Sequence, residues 1–327
     1  MPTWEWPTDM EILHSIVVAP FLEMGAYPDF FLQVVWEGFV AGVLYSLIAL
    51  GFVLIYKASG VFNFAQGIMV VFAALALVSL HGMGVPAWLA VILALGIMGV
   101  LAVGVERLVL RKLVNQHDAI LLMATIGLTL VLKGVGQLLF GGEPKPMITE
   151  ELGLPTGSTD LEVFGGIVIF QHIDIAATVV ALLMVLALAL FFSKTRIGRA
   201  LRAVADDHQA ALSVGISLHQ IWAIVWFAAG IVALVTGIMW GARSEVSFAL
   251  EIIALKALAV LILGGFTSIP GAIVGGLIIG IGEKLFEVYW GALFGSGVEA
   301  WFAYVLALIF LLFRPQGLFG ERIIERV

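Results

Sequence analysis

The chain has 327 residues, 62% hydrophobic and only 12% charged, with a formal net charge of −7 and a mean hydropathy of +1.12. A soluble domain carries about 45–50% apolar and ~25% charged residues, so this composition describes a polytopic membrane protein. No basic tract offers the phosphate-neutralising surface that nucleic acid requires, and the lack of cysteine excludes disulfides and thiolate metal sites while leaving the redox compartment open.

Residues 1–30 contain Glu5, Asp9, Glu11, Glu23 and Asp29 but no Lys or Arg, so they lack the positive start of a secretory signal and are expected to be retained as a periplasmic or interfacial segment. Within them "EILHSIVVAPFLEM" is too short, and too interrupted by Pro20, for the ~20 apolar residues of a span; it reads as an interfacial helix. Apolar runs then recur at 33–55, 64–82, 86–105, 118–140, 171–192, 218–240, 249–263, 271–288 and 299–313. The predicted fold is an all-α bundle of eight to nine transmembrane or re-entrant helices, one domain over 31–327. Runs 249–263 and 299–313 are short for a full crossing and read as broken or re-entrant helices that neighbours shield from lipid.

Cations set the orientation. Arg107, Arg111 and Lys112 share one connection, Lys194, Arg196, Arg199 and Arg202 another, and Arg314, Arg322 and Arg326 mark the tail. The connections of opposite parity, 141–170 and 241–248, carry only Lys145 and Arg243. Nine crossings would therefore place the tail and the basic loops in the cytosol, with the N-terminus and the 141–170 loop in the periplasm.

Small residues recur at helical spacing in Gly38/Gly42, Gly271/Gly275 and Gly276/Gly280, the GxxxG pattern of close helix packing. Two apolar stretches are interrupted by polar and small residues: "YKASGVFNFAQG" over 56–67 and "LGGFTSIPGAIVGG" over 263–276. Such interruptions near opposite ends of a chain point to an inverted internal repeat whose broken helices meet at a pathway. Asn63 and Gln66, with Phe64 and Gly67 beside them, either line that route with neutral groups or satisfy backbone groups freed by the break. Thr267 and Ser268 stand in the same position in the second half, and Thr125 and Thr129 are further candidates.

The basic segment 193–217 reads as a cytosolic amphipathic helix with Leu201, Val204, Ala205, His208, Ala211 and Leu212 on one face and Arg199, Arg202, Asp206, Gln209 and Ser213 on the other. It either lies on lipid headgroups or docks a soluble partner. Ser217 and Gln220 match a capping box at the next helix. At membrane depth Lys133, Lys256, Glu283 and Lys284 are functional suspects. Glu251 is five residues from Lys256, poorly aligned for an ion pair within one helix, so a structural pair with another helix or a sister subunit is expected. The histidines show no HExxH-type spacing, no metal site is expected, and there is no GxxxxGK(S/T) phosphate loop.

The stretches "LYSLIALGFVLIYKASGVFNFAQG", "ERLVLRKL", "LLMATIGLTLVLKGVGQLLFGG", "GRALRAVADDHQAALSVGI" and "ALAVLILGGFTSIPGAIVGGLIIGIGE" together resemble the permease subunits of branched-chain amino-acid ABC importers over about 33–320. The resemblance implies a non-enzymatic subunit of the bacterial inner membrane that forms half of a translocation path. It implies a second homologous permease, two ATPase subunits that carry ATP and Mg, and a periplasmic binding protein; this chain itself would bind no cofactor. In such importers a cytosolic Glu-Ala-Ala, three residues, Gly motif docks on the ATPase. Gln209, Ala210, Ala211 and Gly215 match its spacing, with Gln for Glu and without the later Leu-Pro, and Arg199, Arg202 and Asp206 would flank the contact. The alternatives are a permease for urea, short amides or small carboxylates, and an ion-coupled secondary transporter; the latter needs buried titratable carboxylates, of which the sequence suggests few.

Overall fold

The computed structural model describes residues 14–60, 62–113, 116–206, 208–295 and 297–320, excluding the side chains of 118 and 205–210. A π-helical turn, His14–Val18, leads into α1, Ala19–Ala26. A short helix thus forms within the segment expected to be interfacial, set on the bundle by Trp290, whose indole N–H donates to the Ile16 carbonyl at 2.8 Å, and by Phe21, whose ring lies 5.8 Å from that of Trp290.

All nine apolar runs are helical: α2 Pro28–Ser59, α3 Gln66–Gly82, α4 Ala87–Leu108, α5 Asp118–Phe140, α6 His172–Lys194, α9 Leu218–Arg243, α10 Leu250–Gly264, α11 Ile269–Phe294 and α12 Phe302–Phe313. Six of them, α2, α4, α5, α6, α9 and α11, are long and apolar enough to cross a membrane. Helices α3, α10 and α12, of 17, 15 and 12 residues, fall short of the ~20 that span. A helix that is apolar all round belongs in an interior, and α3 is buried at every position from Gln66 to Ser79, among α4, α5, α9 and α10. Helix α10 meets the expectation for 249–263 only in part: its second half is largely buried, whereas Ile252 and Leu255 near its start are 63% and 45% exposed. The shielding expected for 299–313 is not observed: α12 buries only Ala303 and Ala307, whereas Leu312 and Phe313 are 77% and 85% exposed, because it packs on the edge of α10 through that single small-residue stripe.

Glycine spacing explains the main seam. A Cβ on Gly42 would lie 2.6 Å from the Gly276 carbonyl oxygen, and one on Gly280 only 2.3 Å from the Gly42 nitrogen, so the Gly38/Gly42 and Gly276/Gly280 pairs bring the backbones of α2 and α11 together. The opposite face of α11 uses Gly271 and Gly275 against α10, where a Cβ on Gly275 would lie 2.7 Å from the Val260 carbonyl oxygen.

The all-α expectation needs one amendment. A two-stranded antiparallel hairpin, β1 Ser158–Val163 and β2 Gly166–Gln171, closes through Phe164 and Gly165, both at positive φ (55° and 85°). Its six-residue strands fall inside a polar loop, where so short a β-pattern carries little signal beside the helical runs. The Gln33 side-chain carbonyl of α2 accepts the Ile169 N–H at 2.8 Å and fixes the hairpin to that helix.

Candidate functional site

The interruption expected over 56–67 is narrower in the structure, because α2 continues to Ser59. It ends at Gly60, which adopts φ 67° and donates its N–H to the Tyr56 carbonyl at 2.8 Å, a left-handed helix cap. The second interruption, 265–268, begins at Gly265 with φ 105°. There the chain's final segment seals the end of α10, as Leu318 and Phe319 donate their N–H groups to the Leu263 and Gly264 carbonyls. The two breaks meet through aromatic rings: Phe266 lies 5.2 Å from Tyr56 and 6.2 Å from Phe62, and Phe62 stacks on Phe52 at 5.0 Å and meets Phe64 edge-on at 4.8 Å.

Each polar residue singled out in the first break has a distinct position. The Asn63 side chain is fully buried; its carbonyl oxygen accepts the Ala65 N–H at 3.0 Å. Gln66, also fully buried, donates to the Ala229 carbonyl at 3.4 Å and occupies a notch that exists only because residue 51 is glycine, where a Cβ would lie 2.1 Å from the amide nitrogen. Both amides serve backbone groups inside the bundle. Thr125 ties the break to α5, its hydroxyl 3.1 Å from the Phe62 carbonyl and accepting the Phe64 N–H at 3.3 Å. Ser268 caps α11 by accepting the Gly271 N–H at 3.0 Å. Thr267 is half-buried beside it.

A cleft of about 230 Å³ opens beside the first break. Phe64, Gly67 and Thr129 line it, together with Phe52, Phe62, Leu258 and other apolar residues of α10. Gly67 allows α3 to approach α10, since a Cβ there would lie 2.6 Å from the Ala254 Cβ. Thr129 donates to the Thr125 carbonyl at 2.9 Å. At the mouth, Lys133 Nζ meets Glu251 Oε2 at 2.8 Å, with side chains 39% and 22% exposed. Lys133 had drawn notice only as an isolated charge; its partner lies 118 residues away on another helix, a pairing that no local spacing reveals.

The family described as "Branched-chain amino acid transport system / permease component" matches residues 34–314. The chain belongs to this permease family. Relatives include BraD of Pseudomonas aeruginosa, a high-affinity branched-chain amino acid transport system permease protein, 31% identical with 91% of this chain and 98% of BraD covered. LivH of Escherichia coli K12 is 29% identical over the same shares of the two chains, and a probable LivH of Methanocaldococcus jannaschii is 31% identical, covering 85% of this chain and 90% of that protein. These relatives are permease proteins of transport systems. No solved structure was found to match the permease.

Four of the carboxylates in the permease's apolar helices each meet a base on another helix, whereas Glu37 of α2 accepts from the Gln33 amide at 3.0 Å. Besides Glu251, Glu283 accepts from Lys256 at 2.8 Å, Asp174 pairs with Arg243 at 2.8 Å, and Glu106 lies 3.0 Å from His219. Lys256 thus has the partner on another helix that its position required. Tyr45 donates its hydroxyl proton to Glu283 at 3.0 Å, and Lys256 and Lys284 reach Glu299, in the turn Val298–Ala300, at 3.3 and 3.1 Å. Burial raises the Glu299 carboxyl, but the two lysines outweigh it and hold the group below the ordinary carboxylate value.

The basic segment forms α7, Arg196–Asp206, and α8, His208–Ser213; residue 207 lies outside the described residues, as do the side chains of Asp206, Gln209 and Ala210. Leu201, Val204 and Ala211 are buried as the amphipathic pattern requires. Leu212 is not: it is exposed, because α8 ends there in a turn at Gly215 (φ 85°). The turn is closed by Gly215 N–H to Leu212 and Ile216 N–H to Ala211. Val214, which sequence reasoning passed over, stands beside it at 74% exposure. Arg199 is exposed, while Arg202 turns inward and donates to the Phe192 carbonyl near the end of α6. Ser217 occupies the cap position of α9 without a side-chain hydrogen bond, so the expected capping box does not form; the chain enters α9 from the Gly215 turn, whose own backbone bonds set its direction.

Proposed function

We propose that the permease is one membrane subunit of an ATP-driven importer, forming half of a path for branched-chain or other small amino acids delivered by a periplasmic binding protein. The observation that carries this reading is the family match across residues 34–314, nearly the whole helical bundle. A second homologous permease would complete the path, and two ATPase subunits holding ATP and Mg would dock on α7, α8 and the Gly215 turn, where Arg199, Leu212 and Val214 stand exposed. In the inner membrane, nine passes, with the short helices α3, α10 and α12 each carrying the chain from one side to the other, would place the N-terminus in the periplasm and the cations at the ends of α4, α6 and α12 in the cytosol.

The inverted repeat is proposed on the two breaks themselves: the long helices that flank them, α2 and α11, pack together, as do the short ones, α3 and α10, so both breaks adjoin one region of the bundle.

Reconstitution with the sister permease, the ATPases and the binding protein tests the reading. Uptake and ATPase stimulation are expected only when loaded binding protein is present. Val214→Asp is expected to abolish that stimulation while the isolated permease keeps its melting temperature. Solute accumulation by the single chain under an ion gradient would overturn the proposal.

A further inference from the structure

We infer that the cleft beside the first helix break is a low-affinity subsite for a zwitterionic α-amino acid with a small aliphatic side chain, Lys133 taking its carboxylate and Glu251 its ammonium. The inference rests on the importer reading and supplies the path with its substrate contact. Lys133 and Glu251 are only partly exposed, 2.8 Å apart, and no third charged side chain lies within ion-pair distance among the described residues. An α-amino acid carries the same two charges on one carbon. Entering the mouth, it opens the pair and replaces each partner, carboxylate for Glu251 at Lys133 and ammonium for Lys133 at Glu251.

The charge in the cleft stays balanced through this exchange, and no ion is left alone away from water, which is the costly outcome. A monocarboxylate would strand Glu251 and a primary amine would strand Lys133. Urea or a sugar would leave the pair closed. The site therefore selects by what it would leave unpaired as much as by what it holds. Below the charges, Phe52, Phe62, Phe64 and Leu258 form an apolar chamber for the side chain. Its volume of about 230 Å³ lies under the ~300–1,000 Å³ of pockets for drug-sized ligands and suits a smaller solute. Competition from the existing ion pair keeps the affinity low, as a transit site requires if solute is to leave it.

The native chain has no cysteine, so a Thr129→Cys variant reports occupancy of the cleft through its rate of maleimide labelling in the assembled importer. Leucine at millimolar concentration is expected to slow labelling by about threefold or more, whereas 4-methylpentanoate and 3-methylbutylamine leave the rate unchanged. In the full importer, the neutral double variant Lys133→Met with Glu251→Gln is expected to lose leucine uptake by about tenfold, with its melting temperature and ATPase docking retained. Equal protection by the anion or the amine overturns the inference, as does normal leucine uptake by the double variant. If the wild-type complex imports leucine and the double variant does so equally, the subsite fails and the importer reading stands. If the complete wild-type complex imports no amino acid, both fail.

Discussion

Lys256–Glu283 and Lys133–Glu251 have the same 2.8 Å separation, yet one is sealed and the other open. The first pair is 11% and 0% exposed, lies under the Tyr45 ring and shares its charge with Glu299 and Lys284. The second is 39% and 22% exposed at the mouth of a cleft, with no further charge to share. Length alone therefore says little about an ion pair. A sealed pair with supporting partners joins α10 and α11 to α2, and removing one member strands the other. An open pair can exchange partners with a solute.

The largest test of this contrast is Lys256→Met, which leaves Glu283 buried without its cation and is expected to cost about 3–5 kcal/mol, seen as a large fall in the melting temperature of the purified permease. Wild-type melting would erase the distinction between the pairs. Gly280→Leu probes the same seam without touching a charge. Forcing α2 and α11 apart is expected to cost about 1–3 kcal/mol by the same melting assay, and a smaller loss than for Lys256→Met would show that charge matters more than close approach there. At the open pair, Lys133→Met leaves Glu251 without its cation in a cleft that is only partly open to water, and is expected to cost about 1–2 kcal/mol, between the values for an exposed and a buried pair. A fall as large as that of Lys256→Met would make the cleft pair structural.

The smallest effect concerns pH. Glu299 titrates below the ordinary carboxylate value in the folded permease, so its ion pairs contribute fully at and above the unfolded value and are lost as pH falls through the folded one. Melting temperature should therefore decline on that acid limb, and Glu299→Gln should flatten the decline. An unchanged acid limb in the variant would separate Glu299 from the sealed network.

Much of the architecture was legible because hydropathy is a local property. Each of the nine apolar runs is a helix, and the Gly38/Gly42 and Gly276/Gly280 spacings marked close packing before their mutual contact was visible. The two breaks were legible from Gly60 and Gly265, residues that tolerate the positive φ found there. Less could be read of the site. Asn63 and Gln66 stood out as polar groups in an apolar stretch, but only packing turns them inward toward Ala65 and Ala229, while Phe64, Gly67 and Thr129 face the cleft. Val214 carries no pattern of its own; its exposure follows from the turn at Gly215.

Sequence by itself determined that this chain is a helical membrane protein of the permease family, where its helices lie and where they break, since chain composition and backbone preference act over a few residues. Tertiary structure alone decided which lysine meets which glutamate, which short helix is enclosed and which lies at the edge, and where the cleft opens. Those outcomes depend on groups brought together from distant positions, 118 apart for Lys133 and Glu251 and 238 apart for Tyr45 and Glu283, and on how much water the surrounding helices leave around them.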